Sequence, residues 1–182
     1  MNARLESLHM VERAVWRELD RASHDRLHDW RVLTLATIDH DRADARSVVL
    51  REVDEGARRL VIYSDARAPK VAQLRAHPKA TLVAWSAELS WQLRLAVTLS
   101  VEDAGLDVSS RWAKVKMSPS AQDYLAALPP GTPVRKYSPE RGTREHFAVI
   151  TAQVEAVDWL ELHADGHRRA RFDTSGGSWL AP

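Results

Sequence analysis

Between Trp91 and Glu102 apolar and polar residues alternate, with Trp91, Leu93, Leu95, Val97, Leu99 and Val101 on one side. That period of two predicts a half-buried strand. The same period appears in RVLTLATID (31–39), with Val32, Thr34, Ala36 and Ile38 sharing a face, and in ARSVVLREV (45–53), LVIYS (60–64) and ATLVAW (80–85). Polar turns at Asp39-His40-Asp41 and Asp54-Glu55-Gly56 separate the first of these. Residues 3–22 change period: Leu5, Leu8, Val11, Val15 and Leu19 recur at helical spacing. PKVAQLRAH (69–77) reads as a helix with Pro69 at its first position and Pro78 beyond its end. Ser109–Met117 reads as a short helix, and Ser118-Pro119 starts another running through Leu128 until PPGTP (129–133) breaks it. The polar stretch 133–145 reads as a loop. FAVITAQVEAVDWLEL (147–162) is a strand with a bend or bulge in its middle, and Asp165-Gly166 turns the chain into HRRARF (167–172). Gly176-Gly177 leads into a last strand, SWLA. Sequential strands on short connections favour an antiparallel sheet closed into a small barrel, mostly β with flanking helices. No shift in composition marks a boundary, so residues 1–182 read as one domain.

Composition removes whole classes. The net charge of +1 argues against a nucleic-acid binder. The absence of cysteine excludes disulfides, thiolate metal sites and cysteine nucleophiles. No apolar run is long enough to span a membrane, and the N-terminus lacks a signal-peptide core, so the expected location is cytoplasmic. Neither GxGxxG nor GxxxxGK[ST] occurs, so a phosphate site must use side chains and helix ends. Yet 21 of the 26 basic residues are arginine, the side chain suited to bidentate grips on anions.

Three constellations could carry chemistry. Arg46 and Arg51 flank RSVVLR, and Tyr63, Ser64, Arg67 and Lys70 lead into the helix at Pro69. Two cations at a helix N-terminus make a plausible phosphate pocket, although the same arginines could pair with Glu52, Asp54, Glu55 and Asp65 on the surface. Arg46 and Arg51 are five apart, so a regular strand points them to opposite faces. A bulge, or a site between subunits, would be needed for both to reach one ligand. In the second constellation, Gln92 and Arg94 lie opposite the apolar face of their strand, either meeting a heterocycle edge or simply facing water. The third places His167, Arg169 and Arg171 on one strand face near Trp159 and Trp179, to receive an anion or to guard an edge. His24 and His28, four apart, lack a third ligand, and no metal site is expected.

Asp25–Arg31, Leu35-Ala-Thr37, RSVVLR (46–51), IYSDARAPK (62–70), W-(x)5-WQLR (85–94), HRRARF (167–172) and WLAP (179–182) follow one another in an order that resembles the pyridoxamine 5′-phosphate oxidase-like, FMN-binding split-barrel family. The chain is most similar to that family's less characterised, FMN-binding branch. The resemblance implies a six-stranded antiparallel split β-barrel and a homodimer with FMN at the subunit interface. It lays the flavin ring along Arg46, Ser47, Val48, Val49, Leu50 and Arg51, with polar contact from Gln92. Tyr63, Ser64, Arg67 and Lys70 hold the ribityl-phosphate end, and Trp159 and Arg171 close the pocket.

The chain also departs from the oxidases. Ala68-Pro69-Lys70 replaces their Ser-Arg-Lys, with Arg67 as a possible compensation. Of the substrate-phosphate residues Tyr124 matches, but Leu128 stands in place of Arg and Thr132 in place of Ser. A Gln-Ser pair expected in 133–145 has no counterpart. His167 and Arg169 occupy the other substrate positions, altered in kind. The resemblance implies an FMN-dependent oxidoreductase acting on an unassigned small molecule, with no nucleic-acid or membrane partner. A non-catalytic flavin- or haem-binding module or sensor, and a true pyridoxamine 5′-phosphate oxidase, are the alternatives.

Overall fold

The computed structural model describes residues 4–136 and 145–182. Helix α1 (Leu8–His24) starts at Ser7, whose hydroxyl accepts from the Met10 N–H at 3.2 Å. Its buried face, Val11, Ala14, Val15, Trp16, Leu19 and Ala22, packs on the barrel core. The strands are β1 (Val32–Asp39), β2 (Arg42–Asp54), β3 (Arg59–Asp65), β4 (Lys79–Ser86), β5 (Trp91–Glu102), β6 (Phe147–Glu161), β7 (Arg168–Asp173) and β8 (Gly176–Leu180). Helices α2 (Pro69–Ala76) and α3 (Leu106–Lys116) lie between them. The sheet runs β3-β2-β1-β4-β5-β6-β7-β8, and β3 pairs again with β6. That second pairing closes six antiparallel strands into the expected barrel, with β7 and β8 as an extension. No helix among the described residues is long and apolar enough to cross a membrane.

Alternation sends Leu33, Leu35, Val48, Leu50, Leu60, Ile62, Leu82, Leu93, Leu95 and Val97 into the barrel. Two bulges bend it. On β6, Ala96 pairs with Ala156 and Val97 with Val154, so Glu155 is the extra residue and the expected mid-strand bulge is present. On β2, Leu50 pairs with Ile62 and Glu52 with Val61, which leaves Arg51 extra.

The segment expected as a helix from Ser118 to Leu128 is instead a short 3-10 turn over Pro119–Tyr124. Pro129 disfavours the α conformation at Leu128, and the Ala126 carbonyl accepts from Arg67 Nη2 at 2.8 Å. The polar loop 133–145, with its missing Gln-Ser pair, falls largely on residues 137–144, outside the described residues. Partly buried His28 lies 3.2 Å from Glu18, while exposed His24 sits 3.6 Å from Asp20.

Candidate functional site

Arg46 points toward the end of the barrel that α2 covers. Its Nη1 donates to Thr37 Oγ1 at 2.5 Å and to the Leu35 carbonyl at 3.3 Å; its Nη2 donates to Gln73 Oε1 at 2.7 Å and to Asp44. Gln73 closes the ring by accepting from Thr37 Oγ1 at 2.8 Å and donating to Asp44 Oδ2 at 2.9 Å. Both Gln73 and Thr37 are buried. Gln73 stands three residues after Lys70, on the same side of α2, so this network docks the helix and sets Lys70 against the Arg46 end of the barrel. Thr37 falls in the Leu35-Ala-Thr37 motif, but sequence pattern does not single out Asp44 or Gln73; the one signal for Gln73 is its three-residue spacing from Lys70.

Lys70 is half-buried and has no ion pair or hydrogen bond among the described residues. Burial, and then the positive charge of Arg46, push its ammonium below the usual lysine range, against a weaker pull from Asp65. It sits in the first turn of α2, where the N-cap residue, Ala68, supplies no side-chain bond. A cation held this way favours an anion beside it.

The other expected phosphate ligands are already engaged. Arg67 donates to Asp65 from Nε at 3.1 Å and Nη2 at 2.7 Å, and from Nη2 to the Ala126 carbonyl at 2.8 Å. It therefore clamps the loop after residue 124 instead of replacing the missing Ser-Arg pair. The Tyr63 hydroxyl donates to Glu52 Oε1 at 2.6 Å, and burial and Glu52 together push its pKa far up. Ser64 is buried, its hydroxyl donating to the Asp65 carbonyl at 3.0 Å.

The bulge at Arg51 does not unite the two motif arginines. Val48 and Leu50 point inward before it and Val53 after it, so Arg51 and Glu52 both face outward. Arg51 lies over the Tyr63 ring, 5.7 Å from its centroid, and its Nε is buried without a partner. Tyr63 and Tyr124 both pack edge-on against Phe147, at 4.9 and 5.1 Å. Glu52 takes a bidentate pair from Arg111 at 2.8 and 2.9 Å.

The remaining residues divide by face. Val48, Leu50 and Trp159 are buried in the core. Trp159 is wholly enclosed, with Trp91 at 5.3 Å, because it pairs with inward-facing Leu93. Ser47, Val49, Gln92 and Arg171 occupy the outer face of the sheet. Register runs there from Ser47 through Thr34, Val83, Arg94 and Asp158 to Arg171. A neighbouring row is nearly all small: Ala45, Ala36, Thr81, Ala96 and Ala156. Exposed Val32, Ile38 and Trp85 project from the same face. Arg169 is tied to Asp158 by bonds of 3.0 and 2.7 Å, and exposed His167 accepts from the His163 N–H through Nδ1. Among the described residues Arg171 pairs with Asp173, at 3.5 Å.

A sequence model of the family described as pyridoxamine 5′-phosphate oxidase, FMN-binding domain, matches residues 13–103. The pyridoxine/pyridoxamine 5′-phosphate oxidase of Caulobacter vibrioides is 27% identical over 175 residues, which cover 88% of this chain and 78% of that protein. The enzyme of the same name from Thermosynechococcus vestitus reaches 47% identity over 64 residues, 35% of this chain and 29% of that protein. Among solved structures, a pyridoxamine 5′-phosphate oxidase-related, FMN-binding protein from Nostoc punctiforme superposes with a TM-score of 0.73 and 21% identity, covering 93% of this chain and 96% of its own. PhzG from Burkholderia lata, in complex with tetrahydrophenazine-1-carboxylic acid, gives 0.72 and 17%, covering 93% and 91%. At these identities the two structures establish the fold alone.

Proposed function

The chain belongs to the pyridoxamine 5′-phosphate oxidase family of FMN-binding domains, and from that premise we propose that it binds FMN and works as an FMN-dependent oxidoreductase. The observation that carries this reading is Lys70, a half-buried ammonium beside Arg46 with no anion of its own among the described residues. A phosphate group at the start of α2 fits it in charge, and the N–H groups of the first helical turn add a favourable dipole. Lys70 grips the phosphate, and the Arg46–Gln73 network holds Lys70 in place. Bound FMN supplies a hydride acceptor and donor.

Two copies meet across the outer sheet face in this proposal. Its row of alanines lets another sheet approach closely, while exposed Val32, Ile38 and Trp85 gain burial. Gln92 lies on that face, and its amide can both donate to and accept from a flavin edge. Arg171, whose contact with Asp173 is 3.5 Å, lies on that face as well, suited to offset negative charge on a reduced ring.

Titration of the purified protein with FMN and with riboflavin, followed by flavin absorbance and fluorescence, tests the reading. FMN should bind more tightly by about tenfold or more, the value of a charged hydrogen bond. No uptake of FMN, or equal affinity for riboflavin, overturns it. A tight FMN complex that no amine or nicotinamide donor reduces overturns the oxidoreductase half and leaves a carrier.

A further inference from the structure

We propose that the protein has a second small-molecule site, at the mouth of the barrel opposite α2, and that it takes a free α-amino acid with a large apolar side chain. Arg17 meets the carboxylate, Glu88 meets the ammonium group, and the side chain lies on Leu5, Leu89, Trp91 and Leu162.

Strand β4 follows α2 at Lys79 and ends at Ser86, so the turn into β5 lies at the far mouth from Lys70. A cavity of about 370 Å³ opens there, between the segment before α1, the α1 residues Arg17 and Glu18, the β4–β5 turn and the end of β6. That volume is within the usual range for small ligands, about 300–1,000 Å³. None of the residues assigned to the flavin lines it.

The walls are fixed before any ligand arrives. Arg168 Nη1 donates to the Leu5 carbonyl at 2.6 Å, and Arg4 Nη2 donates to Glu161 Oε2 at 2.7 Å and to the Gly166 carbonyl at 2.8 Å. These bonds strap the segment before α1 to the β6–β7 hairpin. Across the cavity, the Leu89 N–H donates to Ser86 Oγ at 3.1 Å and the Leu162 N–H to the Ser90 carbonyl at 2.9 Å. A pre-formed site loses less to ordering when a ligand binds.

The two buried carboxylates are already satisfied. Glu161 accepts from Arg168 at 2.9 and 3.0 Å as well as from Arg4. Glu18 accepts from Arg21 at 2.7 Å and lies 3.2 Å from His28 Nε2. His163 accepts the Asp165 N–H through Nδ1 at 3.0 Å. Arg17 differs. Its nearest approach to Glu18 is through Nε, at 3.5 Å, its side chain is 68% exposed, and neither Nη makes a hydrogen bond among the described residues. The exposed Glu88 carboxylate has no hydrogen bond or ion pair among the described residues. One open cation and one open anion therefore border an apolar floor of half-buried Leu5 and Leu89, exposed Leu162 and the edge of Trp91.

That combination selects a zwitterion. A fatty acid would pair with Arg17 and bring a second negative charge to Glu88; an amine would pair with Glu88 and bring a second positive charge to Arg17. An amino acid satisfies both, its carboxylate matched to the arginine fork, while its side chain buries apolar surface.

L-Phenylalanine, 3-phenylpropionate and phenethylamine share a ring and chain but carry both charges, the carboxylate alone and the ammonium alone. Each is titrated calorimetrically into the full chain, without and with saturating FMN. We expect phenylalanine to bind about tenfold or more tightly than either analogue, the value of one charged hydrogen bond, and several-fold more tightly than L-alanine, which lacks the ring. Arg17→Met should erase the preference over phenethylamine and keep that over 3-phenylpropionate; Glu88→Gln should do the reverse. Both side chains are exposed, so both variants should fold; if one does not, the wild-type series and the other variant decide. No binding of phenylalanine, any of the other three compounds binding as tightly, or preferences unchanged in both variants overturns the proposal. Displacement of phenylalanine by FMN also overturns it, because the ligand then sits at the α2 end. FMN uptake is read separately by visible absorbance, so protein that binds phenylalanine through Arg17 and Glu88 but takes up no FMN upholds this inference and refutes the flavin reading alone.

Discussion

Lys70→Met should make the protein more stable without FMN while crippling its affinity for FMN. In the ligand-free fold the ammonium is partly stripped of water and faces Arg46, and both effects push its pKa down from 10.5. Asp44 already balances much of the Arg46 charge, so the loss of hydration outweighs the repulsion. Methionine keeps the length of the side chain and removes the buried charge. We expect a gain of about 0.5–2 kcal/mol, the range typical of relieving an unfavourable site. FMN binding should lose about 1.5–3 kcal/mol, the value of a charged hydrogen bond. Because the folded pKa of Lys70 lies below its unfolded value, the unfolded chain binds more protons in the interval between the two. Wild-type stability attributable to Lys70 therefore rises with pH through that interval, up to about 10.5. The stability difference between Lys70→Met and wild type should shrink over the same window. Urea unfolding of both proteins at several pH values, without FMN and with saturating FMN, measures all of this. A destabilised Lys70→Met apoprotein, or one with wild-type FMN affinity, would refute the reasoning.

Three further outcomes follow from the same contacts. Gln73→Met removes the hydrogen bonds that join α2 to Thr37 and Arg46 and should cost about 2 kcal/mol in urea unfolding; it should also weaken FMN, because Lys70 loses its support. Glu52 is held below the usual carboxylate range by Arg111 and Tyr63, against the opposing effect of burial. Its contribution is thus present above about pH 4.5 and lost as pH falls through the depressed value, and Glu52→Gln should flatten the acid limb of the stability profile. Trp85→Arg, on the outer face of β4, should convert a dimer to monomers in sedimentation while leaving the circular dichroism spectrum unchanged; a variant that remains dimeric excludes that face as the interface.

Alternation alone determined most of the strands. The run from Trp91 to Glu102 matches β5 at both ends, because a half-buried strand writes its burial directly into a period of two. The helix at Pro69 was legible from its proline, and the barrel from the succession of antiparallel strands. The segment after Ser118 is held off an α-helix by Pro129, which restricts Leu128, and by Arg67, whose hold on the Ala126 carbonyl no local pattern announces.

The site was legible only as a set of residue types. The sequence supplied Arg46, Arg51, Arg67 and Lys70 as candidate cations, but charge pairing is a matter of distance, and distance belongs to the tertiary structure. Folding gave Arg67 to Asp65 and joined Arg46 to Asp44 and Gln73. It enclosed Trp159 and left Lys70 and Arg51 without counterions among the described residues, on different faces of β2 and its neighbours. The sequence by itself determined the barrel, since strand periodicity is local and repeated. Only the tertiary structure decided which cations remain open to a ligand, since that depends on neighbours far away along the chain.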